Sequence, residues 1–171
     1  MRELRAGLSN FNAVGTAITA YAGKRSLRAA LRVLRAPPPE RGDMPGTDNA
    51  GEPLRGLRIL LVEDDPLIRL DLETSLVELG AIVTGASDVA SAFAALATAM
   101  PDFAVLDFEL GAETSEPVAE IAQARNVPFL YLSGHSEHDE RFGRWPGIRV
   151  LAKPLSVARI ARAIEDVLEA R

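Results

Sequence analysis

Seven positions hold the residues with which this chain could do chemistry: Glu63-Asp64-Asp65, Asp107, Ser133-Gly134 and Lys153. In LLVEDDP (60–66) an apolar run stops and three carboxylates follow at once. Like charges this close disfavour each other unless something binds them. Clustered acids without cysteine and with only two histidines suit a hard cation with oxygen ligands, and Mg2+ fits. A carboxylate beside such an ion can attack phosphorus and become an acyl phosphate. The transferred group then needs its equatorial oxygens stabilised, for which an ammonium, a hydroxyl and backbone N–H groups serve. Gly134 has no side chain to block approach to its N–H. Taken singly these residues have plainer roles: the acids as a helix start favoured by the helix dipole, Asp107 as a turn residue, Lys153 as a surface lysine.

The elements around them carry the argument. LRILLV (57–62) reads as a buried parallel strand. Pro66 opens a helix over 66–80 whose apolar face is Ile68, Leu72, Leu76 and Leu79, ended by Gly80. Strands follow at 81–86, 102–108, 127–133 and 148–152. Helices are expected over 87–100, capped by Ser87 and buried along Val89, Phe93, Leu96 and Met100, and over 116–125. The last, over 156–170, is capped by Ser156 with a stripe of Val157, Ile160, Ile164, Val167 and Leu168. Five strands alternating with helices predict an α/β fold, a doubly wound parallel sheet. Ligands of such sheets sit beyond the carboxyl ends of the strands. Strand one delivers Glu63–Asp65 there, strand three Asp107, strand four Ser133 and strand five Lys153.

The rest of the chain bounds the reading. Of 171 residues 47% are apolar and 25% charged, and there is no cysteine, which excludes disulfides and thiolate chemistry. The net charge of −5 argues against a dedicated nucleic-acid binder, and no apolar run is long enough to span a bilayer. The charge is uneven. Residues 1–42 hold eight basic against two acidic residues, a balance of +6 that leaves −11 for the remainder. Residues 1–35 read as a basic extension. Within them KRSLRAALRVLR (24–35) is either an amphipathic helix for an anionic membrane or partner, or a weakly structured tail. Ala13–Ala22 lacks leucine and contains Thr16 and Thr19, which argues against a signal peptide; Met44 is an alternative start. Residues 36–56, with five prolines and four glycines, read as a linker, and 57–171 as the folded domain.

In motif order throughout, residues 57–171 resemble the receiver domain of two-component response regulators. LLVEDD resembles the acidic motif, VLDFEL the phosphoacceptor motif, YLSG the hydroxyl motif and LAKP the lysine motif. The stretch from Glu109 to His135 is similar to stand-alone alphaproteobacterial receivers. The resemblance implies a flavodoxin-like sheet of order 2-1-3-4-5. It implies that Asp107 accepts phosphoryl from a histidine kinase or phosphotransfer protein. Asp64 would bind Mg2+ directly, Glu63 through water, and Glu109 would offer its backbone carbonyl. Ser133 and Lys153 would hold the phosphoryl group, and the peptide before Pro154 would be cis. The chain would work in the cytoplasm, not as an enzyme but as a switch assisting its own phosphorylation, signalling through an unknown downstream protein or a relay, with a weak homodimer as an option. Two alternatives stand beside it: a pseudo-receiver binding partners without phosphorylation, and a small phosphohydrolase of the haloacid-dehalogenase kind. That family places its nucleophile on the first strand.

Three departures from the family pattern matter. Val150 stands three positions before the lysine, where relatives carry an aromatic residue. Glu109 is acidic where many are neutral or smaller. SEHDERFGRWPG (136–147) is too broken by glycine and proline for a full fourth helix. Trp145 there reads either as a partner anchor or as packed on strand five, and His135 either as ordering a hydrolytic water or as a surface histidine.

Overall fold

The structure, a computed structural model, describes residues 52–134 and 140–171. The basic extension, most of the proline-rich segment and His135 lie outside the described residues.

An interior strand, β1 (Arg58–Val62), is flanked by β2 (Ile82–Ala86) and β3 (Phe103–Asp107); β6 (Phe129–Ser133) and β7 (Arg149–Ala152) complete a parallel sheet of order β2-β1-β3-β6-β7. Counting only these five strands, the order is the expected 2-1-3-4-5. Successive side chains of a strand point to opposite faces, and the apolar runs fill both. Ile59 and Leu61 face α1 (Pro66–Glu78) and α4 (Val157–Glu169), in one core with Leu72, Leu76, Ile160 and Ile164. Leu60 and Val62 face α2 (Val89–Thr98) and α3 (Glu116–Ala124), in a second core with Phe93, Leu96 and Ile121. This two-sided burial is why β1 and β3 are apolar without alternation. Among the described residues no helix is long and apolar enough to cross a membrane.

The helix starts differ from expectation at three points. Asp88, not Ser87, caps α2: its carboxylate accepts from the Ser91 amide at 2.7 Å, while the Ser91 hydroxyl accepts from the Asp88 amide at 3.2 Å. Ser87 instead donates its hydroxyl to the Asp88 carboxylate. Reciprocal bonding of two orphan amides is the stronger cap. Ser156 stands at the N-cap of α4, but its side chain makes no capping hydrogen bond. Ile68, expected on the buried face of α1, is 41% exposed, because the first turn of that helix lies at the rim of the sheet; Leu72 and Leu76 are buried.

Two further features shape the rim. Glu109–Leu110 (β4) and Glu113–Thr114 (β5) form a small antiparallel hairpin, which the sequence reading did not contain. Between β6 and β7 the described residues form only a short 3-10 turn, Glu140–Arg144, in keeping with the broken sequence there. At the opposite edge Leu54, read as linker, is 2% exposed, and its amide donates to the Leu79 carbonyl. Gly80 has φ +91°, and a Cβ there would lie 2.8 Å from the Arg55 Cα, so both conformation and space require glycine.

Candidate functional site

β1 and β3 are neighbours, so their carboxyl ends bring Glu63 and Asp107 side by side, although the two are far apart in the chain. Glu63 continues the ladder by donating its amide to the Ala86 carbonyl at 3.0 Å. Its side chain is 1% exposed, an unusual place for a glutamate unless it is paired. Asp107 is also buried. Lys153 directly follows β7 and is joined to Pro154 by a cis peptide, with its own amide donated to the Ser133 carbonyl at 2.7 Å. Its ammonium donates to Glu63 Oε2 and to Asp107 Oδ2, both at 2.7 Å.

Asp64 completes the acidic set. It is exposed, and one carboxylate oxygen from each of Glu63, Asp64 and Asp107 lies within 4.8 Å of the others. The three acids of LLVEDDP have therefore separated in role. Asp65 is the cap of α1, its Oδ1 accepting from Leu67 N at 2.8 Å and Ile68 N at 3.0 Å. Those two amides hold the Asp65 carboxyl below its usual range. The helix-start reading is thus correct for Asp65 and does not account for Glu63 or Asp64.

The electrostatics are those of a site short of positive charge. Burial pushes both Glu63 and Asp107 above the usual carboxylate range, and the hydrogen bonds from Lys153 only partly oppose it. Burial alone would lower Lys153, but its hydrogen bonds to Asp107 and Glu63 win, and the ammonium is held above its usual value. One ammonium thus serves two buried carboxylates, with a third acid at the mouth. An all-oxygen set of this kind fits a hard divalent cation such as Mg2+.

The remaining expected residues lie on the same rim. Ser133, fully buried, ends β6 one position past Leu132, which pairs with Asp107. The Glu109 amide donates to Asp107 Oδ1 at 3.4 Å. The Glu109 side chain turns away to meet Arg141 Nη1 at 2.9 Å, and a Cβ on Gly134 would lie 3.8 Å from its Oε2. Val150 is buried and paired in register with Tyr131. Trp145 is 6% exposed and stands edge-on to Phe129 and Tyr131 of β6, in one cluster with Val150. It is a core residue, and its closest rings belong to β6 rather than β7.

Two arginines at the rim escaped the sequence reading. Arg69 Nη1 donates to the Glu63 carbonyl at 2.8 Å and steadies the turn that presents Asp64. Its spacing from Asp65, one helical turn, was the available signal. Arg141 had none, because its partner Glu109 is distant in sequence.

No family model matches the chain. It is 32% identical over 112 residues to the transcriptional regulatory protein PdtaR of Mycobacterium tuberculosis, covering 63% of this chain and 55% of that protein. The chain spans about half the length of the curated relatives it matches. Among solved structures it resembles a response regulator receiver protein from Sinorhizobium medicae, with 28% identity, a TM-score of 0.59 and coverage of 68% of this chain and 98% of that one. It equally resembles the receiver domain of a Pseudomonas aeruginosa sensor histidine kinase, which was solved with a magnesium ion coordinated in the active site cleft. There the identity is 28%, the TM-score 0.58, and the coverage 67% of this chain and 98% of that domain. Sheet order, rim geometry and relatives agree: the described part of this chain is a response regulator receiver domain.

Proposed function

We propose that Asp107 accepts a phosphoryl group from the phosphohistidine of a histidine kinase or phosphotransfer protein, and that the resulting aspartyl phosphate changes what the domain binds or relays. The observation that carries this reading is the Lys153 ammonium, 2.7 Å from Asp107 Oδ2 and 2.7 Å from Glu63 Oε2, on a rim that also holds Asp64. A carboxylate oxygen of Asp107 attacks phosphorus, the phosphorus–nitrogen bond breaks, and the imidazole leaves with the electron pair. Lys153 stays paired with Asp107 as charge grows on the phosphoryl oxygens, and Ser133 supplies a hydroxyl to one of them. Gly134 leaves room for its N–H to approach.

Glu63, Asp64, Asp107 and the Glu109 carbonyl would hold Mg2+, which, when bound, offsets the negative charge of donor and acceptor. The magnesium in the Pseudomonas relative supports that assignment. A phosphohistidine donor supports a cytoplasmic setting for the exchange. A phosphohydrolase of the haloacid-dehalogenase kind is set aside, since Asp107 ends β3 rather than the first strand and the relatives are response regulators.

Incubation with Mg2+ and acetyl phosphate or phosphoramidate, followed by intact mass, tests the proposal. One phosphoryl adduct is expected, absent in Asp107→Asn. A parent protein left unmodified by every small donor would overturn it and leave a receiver that binds partners without phosphorylation.

A further inference from the structure

Between β6 and β7, the Glu140–Arg144 turn and Trp145 are fastened to the β3–α3 side of the rim. Arg141 pairs with Glu109 at 2.9 Å, and its guanidinium lies 5.2 Å from the centroid of the Phe108 ring. Phe142 packs on Phe108 at 4.8 Å and on Tyr131 at 5.6 Å, and Trp145 on Phe129 at 5.6 Å. Arg144 reaches Glu116 at 3.3 Å and Glu120 at 3.1 Å. Phe108 and Glu109 immediately follow Asp107, so the turn is coupled to the acceptor through two adjacent residues. The Glu109 amide already donates to the Asp107 carboxylate.

The attachment is incomplete on its inner side. The Tyr131 hydroxyl and the Trp145 indole N–H are buried and meet no hydrogen-bond partner among the described residues. Unmet buried donors favour any rearrangement that satisfies them. Val150, paired in register with Tyr131, puts an isopropyl group where the family pattern has an aromatic ring.

Resting on the acceptor reading of Asp107, we propose that Arg141 is the residue that senses the phosphoryl group. A phosphoryl group brings roughly two negative charges and three strong acceptor oxygens close to Glu109. A guanidinium binds phosphate in a fork at least as well as carboxylate. Arg141 exchanges the Glu109 carboxylate for a phosphoryl oxygen, leaves the Phe108 face, and draws Phe142 and Trp145 with it.

Trp145, the only tryptophan, reports on this directly. Emission and intact mass are followed together during incubation with Mg2+ and acetyl phosphate. In the parent the emission should change as the adduct forms. Arg141→Gln should form the adduct with the emission change reduced several-fold. Arg141→Lys, which keeps the charge without the fork, should retain part of it. Glu109→Gln, which loosens the resting partner, should shift the starting emission toward the phosphorylated value. An adduct without an emission change in the parent, or an equal change in Arg141→Gln, overturns the role of Arg141 and leaves the acceptor reading intact. Absence of any adduct in the parent removes both.

Discussion

The Lys153 ammonium stands between Glu63 Oε2 and Asp107 Oδ2, 2.7 Å from each, so a single cation holds together the buried acids of two neighbouring strands. Both acids are held above the ordinary carboxylate range, burial being the larger cause, which means that the fold tolerates their charge rather than gaining from it.

Removing that cation should expose the cost. Lys153→Met leaves two buried carboxylates unpaired, and truncating one partner of such a group costs about 3 kcal/mol at neutral pH. Without Lys153 both carboxyls rise further. The loss relative to the parent should therefore be largest above neutrality and shrink as the pH falls and the acids take up protons. Urea unfolding at pH 8 and pH 5 measures it; an equal loss at both would mean that Lys153 contributes packing rather than charge.

The acceptor itself should be a stability liability. An acid whose folded pKa lies above its unfolded value destabilises the fold at pH above the folded value. That cost disappears as the pH falls below the unfolded value. Asp107→Asn should therefore melt higher than the parent at pH 8, with the gap closing toward pH 4. Mg2+ should close it from the other side, since a ligand at a hundred times its Kd stabilises by about 2.7 kcal/mol. Asp64→Ala, a change at an exposed side chain, should leave the metal-free melting point nearly unchanged and abolish most of the Mg2+ shift. Thermal melts with and without Mg2+ decide it; a parent indifferent to Mg2+ would exclude the metal assignment.

The capping assignment is open to a plain comparison. Asp88→Ala should cost about 1 kcal/mol, as losses of N-caps do, and Ser87→Ala clearly less. Its neighbouring N–H and hydroxyl groups hold the Asp88 carboxyl below its usual range, the Ser91 amide most of all. Its contribution is therefore full above the unfolded pKa and lost as the pH falls through the lowered folded value. Equal effects of the two substitutions would return the cap to Ser87.

What the sequence made legible follows from how local the cause is. β1 and β3 were read from uninterrupted apolar runs, and the rim from the rule that parallel strands end on one edge. Asp107, Glu63 and Lys153 each follow such a run, so topology alone brings them together. The misreadings came from competition between neighbours. Ser87 and Asp88 can both cap, and only the reach to the Ser91 amide decides. Ile68 has helical spacing with Leu72, yet its turn stands at the rim and leaves it exposed. Arg141 and Glu109 meet through a tertiary contact that no periodicity encodes. The β4–β5 hairpin is two residues a side, too short for alternation to register.

Leu54 has one more implication. Its amide is tied to the Leu79 carbonyl and that of Gly56 to Gly80, so the polypeptide enters beside the end of α1, at the pole opposite Asp107. The described chain therefore begins at the amino-terminal edge of the sheet, away from the acidic rim. A force applied at Leu54 would therefore load the end of α1 and the start of β2 first and reach the acidic mouth last.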